Sequence, residues 1–153
     1  MERNIVHPEV ESYLETLLPQ AEPVRAHMER IAEERDFPIV GPLVGRLLFV
    51  LARGIGARRV FELGSGFGYS AFWFAQAVGP QGRVFCTDRS DKHAAEAKDL
   101  LARAGLAARV EFHTGDALEV FAEQPGPFDI VFCDIDKEGY PEVPRAAIPK
   151  LRP

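Results

Sequence analysis

An apolar run that stops at three alternating glycines governs much of what this chain becomes. The run is FELGSGFGYS, residues 61–70, with Gly64, Gly66 and Gly68 between a strand-like stretch and a helix-like one. Glycine takes left-handed backbone angles at little steric cost and lets main-chain N–H groups approach a ligand closely. A strand that turns through such a loop into a helix N-terminus makes a ready site for a bound group. The loop alone also fits a plain tight turn, so the flanking pattern has to decide.

From Arg59 onward, short apolar runs alternate with stretches of helical pattern. RVFELG is followed by SAFWFAQAVG, RVFCTD by SDKHAAEAKDLLARAG, RVEFHTGD by a short helix near 117–123, and FDIVFCDID by a helix over 141–150. Strands are expected near 59–64, 83–88, 109–113 and 128–134, with Pro125, Gly126 and Pro127 in the loop before the fourth. Their nearly continuous apolar character is that of parallel strands covered on both faces, so the fold class is α/β. Before them, Pro8, Pro23 and Pro42 sit where proline suits a first helical turn, and PLVGRLLFVLARGIG has helical spacing up to a glycine stop. The expected organisation is one domain, with a helical preface over 1–56 and a core over 57–153.

Composition narrows the partners. Eighteen basic against 23 acidic residues leave a net charge of −5, with no cationic stripe for nucleic acid, which is disfavoured as a partner. The first residues lack the apolar core of a signal peptide, and no apolar run approaches the roughly 18 residues of a membrane span, so a cytoplasmic protein is expected. Cys86 and Cys133 lie in apolar strands and read as reduced core thiols, while the histidines at 7, 27, 93 and 113 show no zinc spacing.

Acidic residues around the loop specify the ligand further. Asp88 ends the second strand, where a carboxylate in a doubly wound sheet can accept ribose hydroxyls. The nicotinamide fingerprint needs a glycine at position 69, which is Tyr69, and Glu62 just before the loop would repel a pyrophosphate. A carboxylate there favours an ammonium or a sulfonium. At this point the chain resembles class I S-adenosylmethionine-dependent methyltransferases, whose first motif is an acid followed by Gly-x-Gly-x-Gly. The resemblance implies a Rossmann-like sheet of order 3-2-1-4 with helices on both faces, Asp88 on the ribose, and Asp116 and Ala117 of GDAL beside the adenine.

A second acidic constellation follows the fourth strand in FDIVFCDIDKEGY, residues 128–140. Carboxylates at the carboxyl end of a parallel strand face the ligand crevice. DIDKEGY, together with GYS after the glycines, resembles the metal-dependent O-methyltransferases of the catechol and caffeoyl-CoA type. On that resemblance Asp134 matches a metal ligand, for Mg²⁺ or another divalent cation, and Lys137 the proposed general base; both are the catalytic candidates. VGPLVG at 40–45 is similar to a segment bordering the cofactor, although Leu43 stands where an acid is common. The implied cofactor contacts are Val40, Glu62, Gly64, Ser65, Gly66, Tyr69, Ser70, Asp88, Asp116, Ala117 and Asp134.

The implied reaction is methyl transfer to a hydroxyl of a small catechol-like aromatic, by a protein expected to be a homodimer. Two alternatives stay open: a tRNA hydroxyuridine as acceptor, and a cofactor-binding module without turnover. The second arises because LRP at 151–153 resembles the lead-in to a fifth strand whose Asp-Asn pair supplies further metal ligands in the family. The chain is thus expected to be C-terminally incomplete, with FDIVFC as an unpaired apolar edge.

Overall fold

A computed structural model describes residues 7–153, so the first six residues of the helical preface lie outside it. The preface comprises α1 (Pro8–Thr16), α2 (Pro23–Glu34) and α3 (Gly41–Gly54), each with proline in its first turn. The missing proline N–H costs nothing there, and its fixed φ suits the helix. One face of α2, carrying Val24, Met28, Ile31 and Ala32, is buried. In α3, Gly45 lies against the Trp73 indole, where any side chain would collide.

The core alternates β1 (Arg59–Leu63), α4 (Tyr69–Ala77), β2 (Arg83–Asp88), α5 (Asp91–Arg103), β3 (Val110–Thr114), α6 (Ala117–Glu123), β4 (Ile130–Cys133) and α7 (Glu142–Ala147). All pairings are parallel, in the order β3-β2-β1-β4, as the resemblance implies. Strand alternation sorts the side chains. Val60, Val84 and Cys86 face a core shared with α2, α4 and α5, while Phe61, Leu63 and Phe85 face one closed by Phe121, Phe128 and Val143. Helix α4 is buried nearly all round, which explains its lack of a polar face.

Three boundaries differ from expectation for local reasons. A 3-10 turn at Ala107–Arg109 delays β3 by one residue. Helix α7 stops at Ala147 and Ile148–Lys150 continues as a 3-10 turn, because Pro149 has no N–H to extend the α-helical ladder. Phe128, expected within an unpaired edge, forms a parallel bridge with Leu151: its N–H donates to Lys150 O and its carbonyl accepts from Arg152 N–H, both at 2.8 Å. Beside Ile130–Cys133 no strand lies on that side among the described residues. Of the thiols, Cys86 is buried and Cys133 half-buried, and both are free.

Candidate active site

The glycine loop is tied to the end of β2 by a ladder of short bonds. Ser65 N–H donates to Thr87 O at 2.8 Å, and Gly66 N–H to Asp88 Oδ2 at 3.0 Å. Between them, Thr87 Oγ1 donates to Glu62 O at 3.0 Å and accepts from Gly64 N–H at 3.2 Å. Gly64 has φ +83°, and a Cβ there would run into the Asp134 carbonyl at the end of β4. Gly68, at φ +91°, opens α4 against Ala97 of α5. The alternating glycines therefore serve backbone angle and close approach together.

Two adjoining cavities of about 430 Å³ each open above this loop, at the carboxyl ends of the strands. Gly64, Asp88 and Asp134 line both. The first runs over Arg89, Gly115, Asp116, Ala117 and Leu118. The second runs over Ser65, Gly66, Tyr69 and Ser70, with Phe37 and Val40 of the α2–α3 connection opposite. The expected cofactor residues thus come together, except that Glu62 lies beneath the loop. Lys137, in an exposed 3-10 turn, lines neither cavity, nor does Tyr140.

Glu62 is fully buried, and its Oε1 has no hydrogen-bond partner among the described residues. Cys86 Sγ donates to its other oxygen at 3.6 Å. Burial pushes its carboxyl up to about 7 against the pull of nearby Ser70, Ser65 and Cys86, and the Asp134 charge adds to the rise. Burial also raises the carboxyl of Asp134. Asp134 lines the crevice and Glu62 lies buried beneath its floor, and two carboxyls held above their ordinary range there gain from a cationic ligand.

Asp88 and Asp116 are already at work within the fold. Asp88 Oδ1 accepts from Ser90 N–H at 2.8 Å and from His93 Nδ1 at 3.1 Å. Asp116 caps α6, its Oδ1 accepting from Leu118 and Glu119 N–H at 3.0 and 3.2 Å, while Arg89 donates to Oδ2 at 2.6 Å. The Arg89 bond, followed by the Glu119 amide, holds the Asp116 carboxyl below its usual range. Sequence reasoning missed Arg89, His93, Thr87 and Phe37. Thr87 alone carried a signal, as the one hydroxyl in an otherwise apolar stretch of β2.

The metal assignment meets a shortfall. Asp134 offers a hard oxygen to the crevice, yet among the described residues no group of three His, Cys, Asp or Glu side chains could hold a metal ion. Asp134 is one ligand in need of others, and these residues alone do not make a metal centre.

A parallel sheet with a glycine loop at the turn of β1, an acid ending β2 and a crevice across both defines a doubly wound α/β protein whose crevice lies at the carboxyl ends of its strands. The chain belongs to the O-methyltransferase family, whose model matches residues 20–152. It is similar to the catechol O-methyltransferase of Mycobacterium tuberculosis, 40% identical over 134 residues, or 86% of this chain and 61% of that protein. A methyltransferase from Geobacter sulfurreducens superposes with a TM-score of 0.87 at 37% identity, over 97% of this chain and 77% of the other. The O-methyltransferase TomG from Streptomyces achromogenes, solved in complex with SAM, gives 0.87 at 36% identity, over 95% and 68%. The fold is the Rossmann-like methyltransferase fold.

Proposed function

We propose that this chain carries the S-adenosylmethionine site of an O-methyltransferase whose acceptor is a hydroxyl of a small, catechol-like aromatic. The paired cavity meeting at Gly64, Asp88 and Asp134 carries the reading. Its first half, between Asp88 and the 115–118 turn, suits a nucleoside. Its second half, over Ser65 and Ser70 with Glu62 beneath, suits the cationic methionine portion. The reacting methyl group then lies near the junction, beside Asp134.

Transfer forms a bond from the acceptor oxygen to the methyl carbon and breaks the carbon–sulfur bond, leaving a neutral thioether and releasing the hydroxyl proton. The enzymatic requirement is to hold both reactants in line, and the crevice walls supply that restraint. We assign proton acceptance to the neutral amine of Lys137, in the exposed turn after Asp134 and outside both cavities, which has to turn inward to serve. A divalent cation would lower the pKa of the attacking hydroxyl. Asp134 would supply one oxygen for it, and no group of three ligating side chains stands there among the described residues.

We also propose pairing with a second copy through α1, α3 and the residues that cap their C-termini, which expose Tyr13, Leu17, Leu47, Leu51 and Ile55, each more than half accessible. Large apolar side chains exposed together on a globular protein mark an interaction surface.

Calorimetry with S-adenosylmethionine and S-adenosylhomocysteine, with and without Mg²⁺, tests the cofactor assignment. Saturable one-site binding that Asp88→Ala weakens is expected. Absence of binding, or binding indifferent to that substitution, overturns it. Binding of a catechol to the chain loaded with S-adenosylhomocysteine, read by calorimetry, tests the acceptor class, and absence of binding counts against it.

A further inference from the structure

Asp88 has fewer free acceptor sites than a ribose-binding carboxylate is usually credited with. A carboxylate has about four lone-pair positions, two on each oxygen. Three are occupied: Gly66 N–H on Oδ2, and both Ser90 N–H and His93 Nδ1 on Oδ1. Because a carboxylate only accepts, the Nδ1 of His93 carries the proton. Oδ1 is therefore full, and Oδ2 has one position left.

Of the three donors, two are main-chain amides fixed by the glycine loop and the start of α5. His93 is the one side chain, and it is braced. The Phe37 ring meets it edge-on at 5.2 Å and 84°, and Phe37 in turn meets Phe67 at 5.1 Å and 66°. Phe37 also fills the space over Gly66, where a Cβ would lie 3.0 Å from the ring. Ser90 Oγ accepts from His93 N–H at 3.3 Å, securing the backbone beneath. Rotating His93 away means disturbing the segment that walls the second cavity.

We propose that His93 is a specificity-determining positioning residue, which occupies Oδ1 of Asp88 so that the carboxylate grips the ligand's ribose through Oδ2 alone, by one hydroxyl. This rests on the crevice being a nucleoside-cofactor site. Removing the imidazole donor frees a second acceptor and converts a one-hydroxyl grip into a two-hydroxyl grip.

The test is calorimetric, on this chain, with S-adenosylhomocysteine and its 2′-deoxy and 3′-deoxy ribose analogues as probes. The wild type should lose about tenfold or more in affinity for one analogue and stay within about twofold for the other, since a single hydrogen bond to a charged acceptor is at stake. His93→Phe, which keeps an aromatic ring against Phe37 but donates nothing, should bind S-adenosylhomocysteine more tightly and penalise both analogues about tenfold. His93→Asn, which restores a donor, should behave as the wild type, an outcome that a packing role for His93 does not give. His93→Ala reads the same quantity if the phenylalanine variant does not fold. A wild type that penalises both analogues alike, or His93→Phe and His93→Ala that keep the wild-type pattern, overturns the proposal while leaving the cofactor assignment standing. Failure of the wild type to bind S-adenosylhomocysteine at all overturns the cofactor assignment itself, and this inference with it.

Discussion

Replacing Glu62 with Gln probes the least comfortable group in the molecule. Its carboxyl is fully buried, one oxygen lacks a partner, and burial lifts it from 4.5 to about 7. Between those two values the folded protein retains a proton that the unfolded chain has released. Stability owed to this group is therefore complete below pH 4.5 and declines as pH rises to about 7, where the folded form also ionises. At about 1.4 kcal/mol per pKa unit, the decline is about 3 kcal/mol. Glutamine is neutral throughout and escapes it. Urea unfolding of wild type and Glu62→Gln without cofactor, at half-unit steps from pH 4 to 8.5, should give a difference that is flat below 4.5. The difference should then move by about 3 kcal/mol in favour of glutamine and level off above 7. Any fixed cost of burying the amide shifts the whole curve and leaves its shape unchanged, so the shape reads the Glu62 titration together with its coupling to the Asp134 charge. A flat difference, or one that moves towards the wild type with rising pH, would refute the reasoning. Binding should invert the ranking: the cationic ligand stabilises an ionised Glu62, so the variant, however stable, should hold S-adenosylmethionine more weakly at pH 8.

Asp88→Ala should weaken S-adenosylhomocysteine binding by about 1–3 kcal/mol, the range for a lost hydrogen bond to a charged group, as measured by calorimetry. Gly64→Ala should destabilise the fold by more than about 2 kcal/mol in chemical denaturation, since it adds left-handed strain to a collision with the Asp134 carbonyl; ordinary stability would show that the loop is not held as described. With Asp134 as the available ligand, Mg²⁺ titrated into this chain should bind only in the millimolar range or weaker, and tight binding would reveal ligands unaccounted for. Leu47→Glu, on the exposed apolar face of α3, should shift the chain towards monomer in analytical ultracentrifugation.

The elements of the fold were legible because each rule involved is local. Proline in a first turn, glycine where φ is positive, and continuous apolar runs for doubly covered strands act over a few residues, so α1 to α3, the glycine loop and all the strands could be read along the chain. The residues at strand ends were legible too, since Asp88 and Asp134 stand where a parallel sheet always presents side chains to its crevice. Local reasoning stopped at the ends of α7 and β4, where a proline beyond the helix and a return of the chain to Phe128 decided the outcome. It stopped again inside the site. His93 reaches Asp88 because a turn of α5 brings it back over the strand end, Phe37 reaches both through packing from a distant connection, and Arg89 meets Asp116 across two strand ends. No spacing in the sequence encodes those meetings. Chemistry-bearing residues are specified by type and local position, whereas how many of a carboxylate's lone pairs stay free for a ligand is settled only when the tertiary fold has placed every donor around it.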